Sequence, residues 1–425
     1  MINADKLYEV QQHLFGRNRD NIVPGLQRIY AAARECGNPQ FACKVIHVAG
    51  TNGKGSTASM IASGLMATGE KVGLFTSPHI LNFSERFSID GKNVQAKKWL
   101  EIFSELEKIC ERHELTFFEI TTLIAFELFR REGCSWVVLE TGMGGRLDST
   151  NICIPKVSVI TTIGIDHTAY LGGTVEEIAS EKLGIVKHGI PLVISGINSP
   201  SVLRLAQNYC REISSPCVIS DFNRMKNVVN SENPPEICLD LKHIFKLAME
   251  GDYQKINFLT AITALETVGF YGNREVYESA AKAVIPARMQ KYKLDGKTII
   301  FDVAHNPQAM EYWTKSLARE KHQKPISAIF GMMSDKNVKD TIKFIAPFAQ
   351  DIFCFTPATK RAEPADYLAE DFRACGAKNV VVCKSAKEAF EKAFSAGETI
   401  LVSGSFFVVS EIMTVANIDF TDNFA

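Results

Sequence analysis

The sequence predicts an α/β protein with two consecutive parallel-sheet domains. Short runs rich in β-branched residues alternate with segments of helical periodicity, which is typical of a parallel sheet whose strands are joined by helices. The 425 residues exceed what one hydrophobic core usually holds, so two domains are expected. With 46% hydrophobic and 22% charged residues, the composition is that of a compact globular chain.

The first domain is predicted from four strands and the helices between them. The strands are 45–49, 71–76, 136–140 and 157–162. Apolar residues at three- and four-residue spacing predict a helix over 56–68, which Gly69 ends. Another helix is predicted over 99–110, and a further one opens at Thr174 with a capping box. The segment 214–245 has short apolar runs broken by Asn, Pro and charges, which indicate an antiparallel edge of the main sheet.

The second domain is predicted from a restart of the same alternation near Pro286. Its strands are 298–303, 326–330, 352–355, 380–383 and 399–402. Pro286 cannot continue a helix and disfavours helix at the residue before it, so the boundary lies there. We therefore expect domains at 1–287 and 288–425.

Charge and segment patterns argue against several function classes. Lys plus Arg number 47 against 48 Asp plus Glu, so the net charge of −1 gives no basic nucleic-acid footprint. No run is long enough to span a bilayer and the start lacks a secretory pattern, which indicates a cytoplasmic location away from membranes. Eleven cysteines without a C-x-x-C pair argue against a disulfide framework or a zinc site. Nothing in the sequence indicates an oligomer, so a monomer is expected.

A glycine-rich loop follows the first strand and precedes the first helix. It consists of Gly50, Thr51, Asn52, Gly53, Lys54, Gly55 and Ser56. Backbone N–H groups and a positive helix end would surround one point there, which suits a polyphosphate. Lys54 would neutralise the β and γ phosphates of a nucleotide. The motif is a variant of the standard phosphate loop, because Gly55 separates Lys54 from Ser56. The alternative interpretation is a glycine-rich turn that only joins the strand to the helix.

Polar residues at the ends of neighbouring strands could complete a nucleotide site. Glu140 ends an apolar strand, and a carboxylate there is the expected holder of a magnesium ion that bridges the phosphates. Ser77 and His167 follow two other strands and could join it. The alternatives are a solvated acid, a turn-capping serine and a structural histidine.

Three further positions are singled out by their place in the predicted fold. Lys182, in the helix that opens at Thr174, looks by spacing alone like a surface lysine. Asp302 lies where the first strand of the second domain ends, with His305 and Asn306 just beyond, which is again a ligand position. Arg288, beside the domain boundary, could reach phosphate.

Taken together, these motifs resemble the folylpolyglutamate synthase/dihydrofolate synthase family of the Mur ligase superfamily. In chain order they are 47–56 (HVAGTNGKGS), 76–79 (TSPH), 140–148 (ETGMGGRLD), 166–168 (DHT), 180–182 (SEK), 301–307 (FDVAHNP) and 403–405 (SGS). The resemblance spans nearly the whole chain, and several motifs in order are far more specific than any one alone. The fold class it implies is α/β, with a P-loop ATPase-type parallel sheet domain followed by a smaller Rossmann-like α/β domain.

The resemblance implies a reaction and its substrates. ATP, the co-substrate, would phosphorylate a carboxylate to an acyl phosphate, and the amine of L-glutamate would then form an amide, with Mg²⁺ as cofactor. The acceptor would be dihydropteroate, forming dihydrofolate, or a reduced folate that already carries glutamate.

The resemblance also implies the site residues. Nucleotide would be bound by Gly50–Ser56, Asn257, Arg288 and Asp302; magnesium by Ser77, Glu140 and His167; and the pterin by Gly25, Leu26, Gln27, Phe118, Glu119, Ile120 and Asp148. Lys182 matches a lysine that the family carbamylates, and Lys54, Lys182 and His167 would be the catalytic residues. Gln27 stands where an acidic residue would be expected.

Two other functions are compatible with the phosphate loop. A Mur-type ligase that extends a nucleotide-linked cell-wall precursor would need a uridine-binding domain, for which the 46 or so residues before the loop leave little room. A P-loop regulatory ATPase that acts through a protein partner would need a nucleotide-sensing switch and a partner surface, and the sequence points to neither.

Overall fold

The computed structural model describes residues 9, 12, 14, 23–227, 235–240, 243–320, 322 and 324–419. These residues divide into two compact units. The first unit contains the described residues within 1–163, 174–223 and 257–283. The second contains those within 164–173, 224–256 and 284–425.

An eight-stranded, mainly parallel sheet forms the centre of the first unit. Its strands are β1 (Lys44–Ala49), β2 (Val72–Phe75), β3 (Phe87–Ile89), β4 (Lys92–Asn93), β5 (Trp136–Glu140), β6 (Val157–Ile160), β7 (Leu192–Ser195) and β8 (Cys217–Ser220). They lie in the order β4-β3-β2-β5-β1-β6-β7-β8, and among the described strands of this sheet only the pairs β2–β3 and β3–β4 are antiparallel. Since β2, β5, β1 and β6 run parallel, their carboxyl ends meet at one edge.

Helices alternate with these strands along the chain. Those of the first unit are α1 (Gln27–Glu35), α2 (Lys54–Met66), α3 (Ala96–Arg112), α4 (Phe117–Arg131), α6 (Val175–Leu183), α7 (Pro200–Glu212), α8 (Tyr253–Leu265), which begins in the second unit, and α9 (Arg274–Ala281). The short helix α5 (Thr168–Leu171) belongs to the second unit. The helix α4 begins with a complete capping box between Thr116 and Glu119. Its apolar residues join a core with aromatic side chains such as Phe75, Phe87 and Phe103.

The second unit contains two sheets. A six-stranded sheet consists of β12 (Gln290–Leu294), β13 (Lys297–Phe301), β14 (Ile326–Phe330), β15 (Asp351–Cys354), β16 (Asn379–Val382) and β17 (Thr399–Ser403), in the order β12-β13-β17-β14-β15-β16. Apart from the antiparallel pair β12–β13, the strands described in it are parallel. Its helices are α10 (Pro307–Leu317), α11 (Val338–Ile345), α12 (Ala365–Ala374), α13 (Ala386–Ala396) and α14 (Phe406–Val415). Trp313, Phe330 and Phe372 lie in its core.

The predicted α/β class and most predicted strands are confirmed, but one segment was predicted wrongly. The strands 136–140 and 326–330 have the predicted bounds. In 214–245, β8 extends the main sheet as a parallel strand, whereas β9 (Met225–Asn227), β10 (Glu236–Leu239) and β11 (His243–Lys246) form a separate antiparallel sheet. Short runs did not reveal which sheet each strand joins. The domain division at 287/288 stays a prediction.

The described helices were also compared with the length of a membrane span. None of them is both long and apolar enough to cross a lipid bilayer.

Candidate active site

The phosphate loop lies between the end of β1 at Ala49 and the start of α2 at Lys54. Gly53 is the N-cap of α2 in the left-handed region, with φ 81°, and contributes no side chain to the cap. The first N–H groups of α2 and the positive end of its dipole therefore face the loop. The Lys54 ammonium lies 3.3 Å from the Thr51 carbonyl oxygen and so stays over the same loop. This arrangement is suited to binding an anion.

Two glycines of the loop are required by close packing. A Cβ on Gly50 would lie 1.8 Å from Thr161 Oγ1, and one on Gly53 would lie 2.2 Å from Asn257 Oδ1. The Thr161 hydroxyl also donates to the Asn52 carbonyl oxygen at 2.7 Å. The predicted nucleotide residue Asn257 is therefore adjacent to the loop, and Thr161 helps to fix the loop's shape.

Glu140 and Ser77 meet at the same sheet edge. Glu140 ends β5 in register with Val48 of β1, and the side chain is only 4% exposed. The Ser77 backbone N–H donates to Glu140 Oε2 at 3.0 Å. A buried carboxylate thus lies beside a serine, two strand positions from the start of the phosphate loop.

Lys182 is buried, which corrects the expectation of a surface lysine. The residue is 4% exposed, and its ammonium donates to the Gly50 carbonyl oxygen at 2.7 Å. Spacing within α6 describes only one helix, whereas the backbone of this helix at Lys182 packs against the loop that follows β5. A Cβ on Gly145 of that loop would lie 2.7 Å from the Lys182 carbonyl oxygen. Lys182 and the phosphate loop are thus in direct contact.

A buried polar network supports the loop after β5. The Thr150 hydroxyl donates to Asp148 Oδ1 at 2.5 Å, so it accepts from His47 Nε2, 2.8 Å away. The Met143 N–H donates to Asp148 Oδ2 at 2.9 Å. Burial, aided by the positive charge of Lys187, lowers the pKa of His47 to about 3, so this imidazole is neutral. Burial raises the pKa of Asp148 despite these hydrogen bonds.

We expect His47 to make stability fall at acidic pH. The unfolded histidine binds a proton below its ordinary pKa of about 6.5, whereas the folded one stays neutral down to about pH 3. The stability from this group is therefore present above pH 6.5 and lost as pH falls, by about 2 kcal/mol at pH 5. In His47→Gln, which keeps a donor to Thr150, that part of the loss should vanish. Urea unfolding of both proteins at pH 7.5 and pH 5 measures it, and parallel losses in the two would contradict the assignment.

Six of the seven predicted pterin residues lie at the starts of α1 and α4, whereas Asp148 lies in the loop after β5. Gly25, Leu26 and Gln27 lead into α1, and Phe118, Glu119 and Ile120 form the first turn of α4. Leu26 and Phe118 pack against one core cluster, in which Ile120 is fully buried. The Phe118 ring packs closely on Gly142, since a Cβ on Gly142 would lie 2.5 Å from the ring atom Cζ. The aromatic ring is thus adjacent to the loop after Glu140, and the pterin roles stay predictions.

In the second unit, Asp166 is the centre of a buried ionic cluster. Its Oδ1 is 2.5 Å from the Lys336 ammonium, and both side chains are 7% exposed. Its Oδ2 lies 3.5 Å from His305 Nε2 and 3.3 Å from Asn306 Nδ2. Burial would raise the pKa of Asp166, but His305, His167 and Lys336 outweigh it, so the pKa lies far below its usual range. The Lys336 ammonium also lies 3.2 Å from His167 Nε2.

Asp302, also in the second unit, is held by three donors. Tyr253 donates its hydroxyl to Oδ2 at 2.9 Å, as does the Met289 N–H at 2.8 Å, while the Ala304 N–H donates to Oδ1 at 2.8 Å. Burial raises the pKa of Asp302, although the nearby Arg288 charge opposes this. The Arg288 guanidinium lies 5.5 Å from the centre of the Phe406 ring.

Sequence analysis missed several contact residues. Lys336 follows β14 by six positions, and its strand-end placement is the only signal that could have indicated it. Thr161 directly follows β6, which is the same kind of signal. Tyr253 lies at the start of a helix without any distinguishing pattern.

Comparison with known proteins agrees with this geometry. Residues 48–265 match the Mur ligase middle domain, and residues 287–406 match the Mur ligase glutamate ligase domain. The chain is 32% identical to the dihydrofolate synthase/folylpolyglutamate synthase of Escherichia coli over 406 residues. This alignment covers 92% of this chain and 91% of the E. coli protein. The chain belongs to the Mur ligase family.

Solved Mur ligases share the fold over almost the full length. The E. coli FolC in complex with DHPP and ADP superimposes with a TM-score of 0.85 at 30% identity, covering 97% of both chains. A bifunctional folylpolyglutamate synthase/dihydrofolate synthase with Mn, AMPPNP and L-glutamate bound superimposes with a TM-score of 0.84 at 28% identity, covering 96% of this chain and 98% of that one. This Mur ligase is therefore an ATP-dependent ligase of the dihydrofolate synthase/folylpolyglutamate synthase type.

Proposed function

We propose that the chain joins L-glutamate to dihydropteroate, forming dihydrofolate, and extends reduced folates with further glutamates. The observation that carries the proposal is the arrangement of the first unit, where Lys182 contacts Gly50 of the phosphate loop and Glu140 lies at the same sheet edge. The relatives' complexes with DHPP and with L-glutamate support the choice of substrates.

The donor set of the first unit fits a magnesium ion. Among the described residues, no group of three or more His, Cys, Asp or Glu side chains is arranged to hold a metal. Magnesium bound with ATP needs only one or two carboxylates, because phosphate oxygens and water complete its shell. We propose that Glu140 and Ser77 hold it. His167 is the weaker candidate, since its Nε2 already lies against the Lys336 ammonium.

The protein's part in the reaction is to position charges. Lys54 and the N–H groups at the start of α2 would hold the β and γ phosphates and offset the charge that grows during phosphoryl transfer. Magnesium would supply further positive charge to the same oxygens. The acceptor carboxylate would attack the γ phosphorus and ADP would leave. The amine of glutamate would then attack the acyl carbon, lose a proton and displace phosphate. No side-chain nucleophile is required for either step.

We further propose that Lys182 is carbamylated. A free ammonium at this buried position would repel a magnesium ion nearby, whereas a carbamate on Nζ would present carboxylate-like oxygens instead. The contact with the Gly50 carbonyl oxygen shows how close Nζ lies to the loop. Intact-mass measurement under bicarbonate, with Lys182→Arg as the control, tests this.

The remaining assignments follow from the resemblance. Arg288 and Asp302 are proposed to contact the nucleotide, and the residues at the starts of α1 and α4 the pterin. We also propose a cytoplasmic monomer that uses small-molecule substrates and neither nucleic acid nor membrane.

Phosphate release from Mg-ATP tests the proposed function. The expected result is release that requires both glutamate and an acceptor, with dihydropteroate and with tetrahydrofolate as separate acceptors. Glutamate-dependent release with dihydropteroate but not with tetrahydrofolate would restrict the chain to dihydrofolate synthesis. Equal release with no acceptor would contradict the ligase function and favour a regulatory ATPase.

A further inference from the structure

An ion pair joins the starts of α1 and α4. Arg28, the second residue of α1, donates from Nε to Glu119 Oε2 at 3.3 Å, and its Nη2 lies 3.2 Å from Glu119 Oε1 without the alignment of a hydrogen bond. One hydrogen bond and the opposite charges therefore hold the two side chains together. The Glu119 side chain is 5% exposed and that of Arg28 is 25% exposed.

The other contacts of this pair connect a third segment. The Arg28 guanidinium also donates from Nη2 to the Val23 carbonyl oxygen at 2.6 Å. Glu119 Oε2 accepts from the Thr116 N–H and from the Thr116 hydroxyl, each at 2.8 Å. Arg28 and Glu119 thus tie the chain that precedes α1 to the first turn of α4.

Helix capping does not account for Arg28. The capping box of α4 requires only Thr116 and Glu119. A buried ion pair is also a weak source of stability, because apolar residues of similar size usually serve as well. What the arginine adds is a fixed distance between two segments that lie 91 residues apart in the chain.

The residues whose spacing the pair fixes are apolar. Leu26 lies two residues before Arg28, and Phe118 lies one before Glu119; both pack on the same core cluster. Gly142, against which the Phe118 ring packs, lies two residues after Glu140. An aromatic ring held between Leu26 and Phe118 would be adjacent to the loop that follows the proposed magnesium ligand Glu140.

We infer that Arg28 is a positioning residue for the acceptor: through Glu119 it holds Leu26 and Phe118 at the spacing that binds the flat pterin ring. Glu119 acts as its partner in this contact. This inference rests on the proposed function, since it needs a pterin-bearing acceptor.

The test compares Arg28→Gln with Arg34→Gln, an exposed arginine of the same helix. Arg28→Gln should weaken dihydropteroate binding roughly 10- to 100-fold, because Leu26 and Phe118 would no longer be held at the spacing that contacts the pterin ring. The KM for ATP should stay at the wild-type value, and Arg34→Gln should bind like wild type. Binding is measured by pterin fluorescence with Mg-ADP present, and KM values by phosphate release.

Glu119→Gln keeps the size of the side chain and serves as the second variant. It should weaken dihydropteroate binding as much as Arg28→Gln does. The double variant should bind dihydropteroate as well as the weaker-binding single variant. The inference would be overturned if Arg28→Gln and Glu119→Gln bound dihydropteroate like wild type. It would also be overturned if the KM for ATP rose by the same factor as dihydropteroate binding weakened. A wild-type chain that binds no dihydropteroate would instead overturn the proposed function.

Discussion

Replacing Lys54 with methionine is expected to lower kcat for acceptor-dependent phosphate release about 100- to 1000-fold, the usual cost of losing a preorganised charge. Lys54 is the first residue of α2, and its ammonium lies over the loop at 3.3 Å from the Thr51 carbonyl oxygen. Methionine retains the length and helix propensity of the side chain but not its charge. The transferring phosphate would therefore lose its nearest cation while the loop keeps its shape.

Lys71→Met is the matched control for this variant. Lys71 belongs to the same unit, is 40% exposed and lies 3.4 Å from Glu132. Losing one exposed pair should leave kcat near the wild-type value. Single-turnover phosphate release with saturating ATP measures both variants. A Lys54→Met enzyme as fast as the control would show that the loop does not bind the transferring phosphate.

Replacing Lys336 with methionine should lower the free energy of unfolding by about 3 kcal/mol, the lower end of the cost of breaking a buried pair. The ammonium lies 2.5 Å from Asp166, and both side chains are 7% exposed. Without it, Asp166 would keep a buried negative charge near His305, His167 and Asn306. Its Oδ1 would also still accept from the His167 backbone N–H at 2.8 Å. These remaining contacts are the reason to expect the lower end.

A double-mutant cycle isolates this pair. Asp166→Asn together with Lys336→Met removes both charges, so the double variant should be more stable than Lys336→Met alone. Lys339→Met, at a lysine that is 80% exposed, should unfold like wild type. Urea unfolding followed by circular dichroism measures five proteins, namely wild type, Asp166→Asn, Lys336→Met, the double variant and Lys339→Met. Equal stability of wild type and Lys336→Met would contradict a buried ionic cluster at Asp166.

The sequence predicted the sheet edge that carries the site, because that prediction depends only on local patterns. The strands that end at Ala49 and Glu140 are marked by unbroken apolar runs, and glycines mark the loop after β1. Parallel order then brings their carboxyl ends together. This reasoning was sufficient to place Ser77 and Glu140 near the phosphate loop.

Contacts between distant segments were not predictable in the same way. Lys182 is buried, and its ammonium contacts the carbonyl oxygen of Gly50, which lies 132 positions earlier in the chain; helical spacing cannot reveal such a contact. Asp166 is grouped with residues of the second unit, and its partner Lys336 lies 170 positions later. Single-sequence patterns report which face of an element is apolar, but not which remote side chain covers it.

The most direct measurement for the whole account follows the oxygen atoms of the acceptor. Dihydropteroate with ¹⁸O in its carboxylate is incubated with Mg-ATP, L-glutamate and the enzyme, and the released phosphate is analysed by mass spectrometry. Phosphate that carries one ¹⁸O atom is the predicted result, because an acyl phosphate passes one carboxylate oxygen to phosphorus. Dihydrofolate formed together with unlabelled phosphate would contradict activation of the carboxylate by ATP.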